Sequence, residues 1–383
     1  MKQRSFLHTI TNILGGMLGL ILFSGALLFI VYMENDDFRD MVDYKKNHPL
    51  TTYTNIDDVA ARLQEEILNG TTSFTFYTEN ITSDDISQIN NMIDPTYGTA
   101  TNQESYPANS KKDGISRQRI TLHIQLTPAY YVYSFFLNQQ ALPEDNAEAY
   151  ELWLNVSKVL RLLNDDMNDY QKELTIHDYL VENCKYSKNI SRSESSNIYS
   201  AYGALVEKDA VCDGYAQAMQ LLLSCAGVTS KYVSGTATSG SETTNHAWNM
   251  VQLNGDWYHL DATWDDPLPD MGELSTHAYF NVTDNYISGS HTWDTTKYPK
   301  ADSQKFNYYT KSKKRFSSWK KYKDASYKAL VKKKEPIYEA YIGKRKVSMS
   351  DLMFLRKQTS DHRDYRWNVV NEPKGNVLIV TAQ

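Results

Sequence analysis

The sequence predicts an α+β chain: a helical run in the middle, a strand-rich run after it, and a smaller mixed region on each side. Three observations carry this. Helix patterns cover about 145–166 and 169–184, and a third runs from Cys212 to Ala226 before Gly227, the expected C-terminal stop. From Tyr232 onward the residues read as strands. Asn254-Gly255 stands between two alternating segments, a strong signal for a two-residue hairpin turn.

The elements follow in chain order. Ile13 to Met33 is a run of 21 residues without a charge, long enough to cross a bilayer as a helix. Lys2 and Arg4 precede it, and Glu34, Asp36, Asp37 and Asp40 follow it. The positive-inside rule then makes 1–12 a cytoplasmic tail, 13–33 a single transmembrane helix and 34–383 extracellular. A cleaved signal peptide is the alternative, but its apolar run is usually about 7–15 residues and ends at a small-x-small site, which ValTyrMetGluAsn does not offer.

Residues 34–143 form an N-terminal α+β region. It has a polar stalk to 55, a helix from Ile56 to Leu68, a strand in SerPheThrPheTyrThrGluAsn, and a Ser/Asp-capped helix from 83 to about Ile93. Tyr97–Gly114 reads as a polar loop, and ArgGlnArgIleThrLeuHisIleGlnLeu as a half-buried strand with His123 on its solvent side. Residues 144–300 are the core. The last region, 301–383, differs in composition: between Lys305 and Lys346 there are 15 Lys or Arg against Asp324, Glu335 and Glu339, a local net of +12. Strands at 337–342 and 376–381 and a helix near 349–357 make it a second small α+β unit.

The chain carries 40 Lys and Arg against 46 Asp and Glu, a net charge of −6, which gives no general case for nucleic-acid binding. Its basic C-terminal region is either a solvated face or a surface for anionic wall polymer or lipid headgroups. Three cysteines cannot all pair within one chain, so this is no disulfide scaffold. No metal or other cofactor is expected.

Cys212 lies in the first turn of its helix, where unpaired N–H groups and the helix dipole favour a thiolate. Cys225 is about 20 Å further along at 1.5 Å per residue and follows an apolar run, so it reads as packing. A thiolate nucleophile needs a base, and the base an orienting partner. With a turn at Asn254-Gly255, Leu253 faces Asp256, Trp248 lies opposite Asp261, and His246 and Asp261 become diagonal neighbours on one face. His259 shares that face. His246 is the better base because it starts its strand beside the loop 236–244, a plausible rim for a cleft. Cys212, His246 and Asp261 together specify a Cys-His-Asp triad.

These residues resemble the transglutaminase-like superfamily, in which a papain-like Cys helix packs on an antiparallel sheet. The matching pieces are IleHisAspTyrLeu (176–180), AlaTyrGlyAlaLeuVal (201–206), AlaValCysAspGlyTyrAla (210–216), AsnHisAlaTrpAsn (245–249) and TrpTyrHisLeuAspAlaThrTrpAspAspPro (257–267), about a quarter of the chain, in the order of bacterial members. The resemblance implies Cys212 as nucleophile, His246 as general base and acid, and Asp261 as the orienting residue, with His177 structural. Asp213 stands where animal transglutaminases carry Trp, no dense acidic loop resembles a calcium site, and Val206 stands where a papain-like enzyme has its oxyanion Gln. The Cys212 N–H then needs another oxyanion donor, for which Tyr202 is the candidate.

The expected activity is acyl transfer on protein or peptide amides, including cell-wall peptide, through a thioester resolved by water or an amine: a peptidase, deamidase or transglutaminase. The alternative is a catalytically silent scaffold of the same fold or a cell-wall binding protein.

Overall fold

The computed structural model of the chain describes residues 50–107, 118–187, 197–266, 276–357, 363, 365–371 and 373–382. The expected tail at 1–12 and membrane span at 13–33 lie outside these residues. Among the described residues no helix is long and apolar enough to cross a membrane.

The N-terminal region builds a four-stranded sheet in the order β1-β2-β4-β3: β1 Thr52–Tyr53, β2 Ser73–Thr78, β3 Gly98–Pro107 and β4 Gln118–Leu126. Helix α1 (Ile56–Leu68) starts on Asn55, whose side chain accepts from the Asp57 N–H at 2.9 Å, and it buries Val59, Leu63 and Ile67. A single helical turn at Ser83–Ser87 begins with a capping box between Thr82 and Asp85. Strand β3 corrects the reading of 97–114 as a loop. Its polar sequence suits an edge strand whose exposed residues need no apolar alternation.

Three helices follow: α2 (Pro128–Asn138), α3 (Ala147–Leu160) and α4 (Asp169–Asn183), the last opened by a capping box of Asn168 and Gln171. The short parallel pair β5 (Lys185–Tyr186) and β6 (Asp209–Ala210) then leads into α5, Cys212–Cys225. Eleven of the 14 residues of α5 are buried, so it is a core helix rather than an amphipathic surface one. Each fully buried Leu or Met among them contributes about 1.5–3 kcal/mol by leaving water. Gly227 takes φ +75° just after the helix, as a left-handed C-terminal stop requires.

The core sheet has the order β10-β7-β8-β9, all antiparallel: β7 Ser230–Ser239, β8 Glu242–Leu253, β9 Asp256–Leu260 and β10 His291–Trp293. The hairpin register is the expected one, with Leu253 facing Asp256, Met250 facing His259, and Asn254 and Gly255 both at positive φ. The stretch 236–244, read as a loop, instead extends β7 and β8, with Thr236 paired to Asn245. Tyr232, Ala247 and Asn249 face α5, and the Asn249 amide donates to the Ala216 carbonyl at 3.0 Å. Val233, Trp248 and Met250 point to the opposite side.

Against that opposite side packs the C-terminal sheet, β11 (Ile337–Tyr341), β12 (Tyr365–Val370) and β13 (Val377–Ala382), in the order β11-β13-β12. Its Tyr341, Val377 and Ile379 join Val233, Trp248 and Met250 in one apolar cluster. Its other face buries Tyr338, Leu378 and Val380 with Tyr322 of α7 (Trp319–Tyr327) and Leu355 of α8 (Met349–Lys357). The core sheet is thus held between α5 and the C-terminal sheet. A single apolar cluster also runs from Val59 to Phe306 and joins the N-terminal region to the core.

Candidate active site

Cys212 is the first residue of α5, preceded by the extended Val211, which offers no side-chain cap. The first-turn N–H groups are therefore left to other acceptors. Gly214 allows the start of this helix to sit where it does. A Cβ there would meet the Ile198 carbonyl oxygen at 2.7 Å and the Ala210 Cβ at 2.8 Å, so the turn at 197–200 can close on the cysteine only against a glycine. Asp213 accepts a hydrogen bond of 2.5 Å from the Tyr232 hydroxyl, tying the helix start to β7. Tyr215 reaches Asp266 at 2.5 Å.

The hairpin brings His246 to Asp261 with Nε2 2.7 Å from Oδ2. The ring's other nitrogen is not engaged by Asp261, and Cys212 lies near enough to act on the ring's titration. Burial disfavours a charged ring, but the Asp261 charge and hydrogen bond and the Cys212 contact outweigh it and push His246 up to about 10. Asp261 is fully buried; burial alone would raise its carboxyl, yet His246 and His291 hold it well below the usual carboxylate range. Asp261 also caps the short helix α6, Ala262–Asp265, as Oδ1 accepts from the Trp264 N–H at 3.1 Å.

The structure thus brings Cys212, His246 and Asp261 together. It adds His291, which sequence reasoning did not single out. His291 Nε2 lies 2.9 Å from the same Asp261 oxygen, and its Nδ1 lies 2.9 Å from the Ser290 hydroxyl. No local pattern marks it; it arrives through the pairing of β10 with β7, His291 opposite Ala237. His259 is engaged elsewhere, with Nδ1 accepting from Trp248 Nε1 at 3.0 Å and Nε2 2.9 Å from Asp284. Burial lowers both rings; at His259 it prevails over the Asp284 bond and charge, while at His246 its partners outweigh it.

Tyr202 is not brought to the cysteine: its hydroxyl donates to Glu151 of α3, a hydrogen bond that heads the causes pushing this phenol up to about 12. Tyr186 of β5 and Tyr232 of β7 are phenols whose titration feels Cys212, and Tyr232 already donates to Asp213. Burial, then the Cys212 and Asp261 charges, push Tyr186 up to about 12, so it stays a proton donor. Its position at the end of the β5–β6 pair, one strand before the cysteine helix, is a tertiary fact that its own sequence neighbourhood does not show.

A second cluster joins His177 and His277, both buried, through the partly exposed Asp178. His177 has Nδ1 3.0 Å from Asp178 Oδ1 and Nε2 3.2 Å from Asp265. His277 has Nε2 2.9 Å from the same Asp178 oxygen and Nδ1 2.8 Å from Glu339. Among the described residues two sets have the donor types to hold a cation, His177–Asp178–His277 and His246–Asp261–His291. In both, two ring nitrogens share one carboxylate oxygen at hydrogen-bond distance, which protons alone satisfy.

Residues 158–262 match the profile of the Transglutaminase-like superfamily. The kyphoscoliosis peptidases of Mus musculus and Homo sapiens are each 27% identical over 117 residues, which is 28% of this chain and 18% of theirs. The chain therefore spans less than a fifth of the curated relatives it matches. A solved candidate cysteine protease from Cytophaga hutchinsonii is 16% identical, covering 47% of this chain and 71% of its own, with a TM-score of 0.26. A candidate protease from Parabacteroides distasonis is 9% identical over 81% of this chain and 65% of its own, also with a TM-score of 0.26.

Proposed function

Since the chain carries a transglutaminase-like core, we propose that it is a cysteine acyl-transfer enzyme acting on protein or peptide amides through Cys212, His246 and Asp261. One observation carries the reading: Asp261 holds Nε2 of His246 at 2.7 Å, which leaves the ring's other nitrogen to serve Cys212, a residue close enough to act on the ring's titration.

The thiol proton passes to His246, and the Cys212 sulfur attacks the amide carbonyl carbon. The carbonyl electron pair moves to oxygen, which takes hydrogen bonds from the Cys212 N–H and the Tyr186 hydroxyl. The oxyanion collapses as His246 gives its proton to the leaving nitrogen, leaving a thioester and a free amine or ammonia. Water or a primary amine then attacks the thioester, His246 takes the incoming proton and returns it to sulfur, and the acid or new amide leaves. Asp261 keeps the ring oriented and stabilises its charged form at each step where the ring carries the proton, and His291 bonds the same carboxylate oxygen.

The curated relatives are named peptidases, which favours water as the acceptor. Cys212 and His246 are each only 8% exposed, and this favours the second reading, a closed scaffold without turnover. Incubating the full chain and Cys212→Ala with casein and a labelled primary amine separates these outcomes. Amine incorporation indicates a transferase and cleavage or ammonia release a hydrolase. Equal behaviour of the two proteins defeats the enzyme reading.

The charge-free run 13–33, with Lys2 and Arg4 before it and acidic residues after it, supports a single-pass anchor with this activity outside the cell, and the net positive charge between Lys305 and Lys346 supports anionic wall polymer or lipid headgroups as partners of the region 301–383. Accessibility of the core to added protease on intact cells tests that placement.

A further inference from the structure

Glu339 is the one carboxylate in the strands of the C-terminal sheet, it is buried, and its hydrogen bonds run to His277 and Tyr309 outside that sheet. Its Oε1 accepts from the His277 backbone N–H at 2.8 Å and from the Tyr309 hydroxyl, and its Oε2 meets His277 Nδ1 at 2.8 Å. The His277 ring is also stacked on Tyr308, centroid to centroid 3.7 Å. Both the backbone and the ring of His277 are therefore fixed from outside the matched region 158–262.

His277 connects to the triad by two routes. Along the chain, the Thr276 hydroxyl and the Tyr279 N–H donate to Asp265 Oδ1, each at 2.9 Å, and the Tyr279 carbonyl accepts from the Asp261 N–H at 3.2 Å. Through side chains, the His277 ring meets Asp178, Asp178 meets His177, and His177 meets Asp265, at 2.9, 3.0 and 3.2 Å. Asp265 closes the turn that Asp261 opens, its N–H donating to the Asp261 carbonyl at 3.2 Å. Asp265 and His177 are fully buried, so water cannot replace a lost partner at either.

We infer that Glu339 is a positioning residue for the triad, acting through His277 to hold the turn that carries Asp261. The C-terminal sheet then completes the active site instead of being an appended surface. This rests on the acyl-transfer reading only for its functional consequence; the coupling itself is a property of the fold.

The test uses the full chain carrying Glu339→Gln, which keeps the shape and removes the charge. Two quantities are read, amide hydrogen exchange and the rate of iodoacetamide labelling at Cys212. The expected result is exchange at the Asp261 and Tyr279 N–H groups faster by about tenfold while β13 stays protected, since a local opening costs less than global unfolding. Cys212 labelling should slow by about fivefold or more, as losing a buried charged partner displaces its neighbours. If Glu339→Gln does not fold, Tyr309→Phe removes one donor to Glu339 and should give the same pattern at smaller amplitude.

Exchange that rises only in β11, with Asp261, Tyr279 and Cys212 unchanged, overturns the inference and leaves Glu339 a docking contact. Stoichiometric zinc in the purified chain, lost in His277→Ala, also overturns it, because His177, Asp178 and His277 would then be ligands. A wild-type Cys212 no more reactive than an ordinary thiol defeats the acyl-transfer reading, while the exchange data still decide the role of Glu339.

Discussion

His291 Nε2 lies 2.9 Å from Asp261 Oδ2, the oxygen that also holds His246 at 2.7 Å. One carboxylate oxygen thus serves two buried rings. Removing His291 leaves Asp261 with a single ring to fix its plane, and a lost hydrogen bond to a buried charge costs about 1.5–3 kcal/mol. His291→Ala should therefore lower thermal stability by an amount of that order and slow Cys212 labelling by about tenfold. His291→Gln, which can still donate, should recover part of both. Labelling unchanged in His291→Ala would mean that His246 alone orients Asp261.

The proton on His246 follows from its surroundings. Asp261 and Cys212 raise the ring to about 10 against burial, so in the wild type the ring should hold its charge from pH 5 to 9. In Asp261→Asn the raising charge is gone while burial persists, so the midpoint should fall below the ordinary 6.5. Stability follows the same signs. The raised His246 contributes fully below its unfolded value of 6.5 and loses that contribution as pH rises through about 10. The depressed Asp261 contributes above its unfolded 3.8 and loses it in acid. The gap in Tm between wild type and Asp261→Asn should be widest between those two unfolded values. NMR titration of the His246 Cε1–H and melting curves across pH check both statements.

Tyr186 and Tyr202 separate the two candidate oxyanion donors. Tyr186→Phe should reduce kcat on an amide substrate by about 10²–10³ while KM changes little, as for a donor that acts on the developing charge. Tyr202→Phe, which removes only the bond to Glu151, should leave kcat near wild type. The reverse pattern would return the role to Tyr202.

What the sequence made legible is what short-range geometry controls. Asn254-Gly255 sets the register of β8 and β9, and that register alone places His246 beside Asp261. The helix from Cys212 to Gly227 is legible for the same reason, as composition and its glycine stop are local. His291, Tyr186 and Glu339 were not legible because each reaches the site through pairing or packing across distant segments. The strands at 98–107 and 236–244 were hidden by polar, Thr- and Ser-rich sequence. Their hydrogen bonds come from a neighbouring strand, and no apolar alternation is needed on an exposed edge or tip.

The account stands or falls on the reactivity of Cys212, and the chain supplies its own controls. Burial pushes the Cys184 and Cys225 thiols up to about 12, so neither should label near neutral pH. The decisive measurement is the site-resolved rate of iodoacetamide labelling of all three cysteines at pH 6.5, in wild type and His246→Ala. The account predicts rapid labelling at Cys212 alone, slowed by about tenfold or more when His246 is removed, since the nucleophile then loses the base beside it. Labelling of Cys212 at the rate of an ordinary thiol, indifferent to His246, would contradict it.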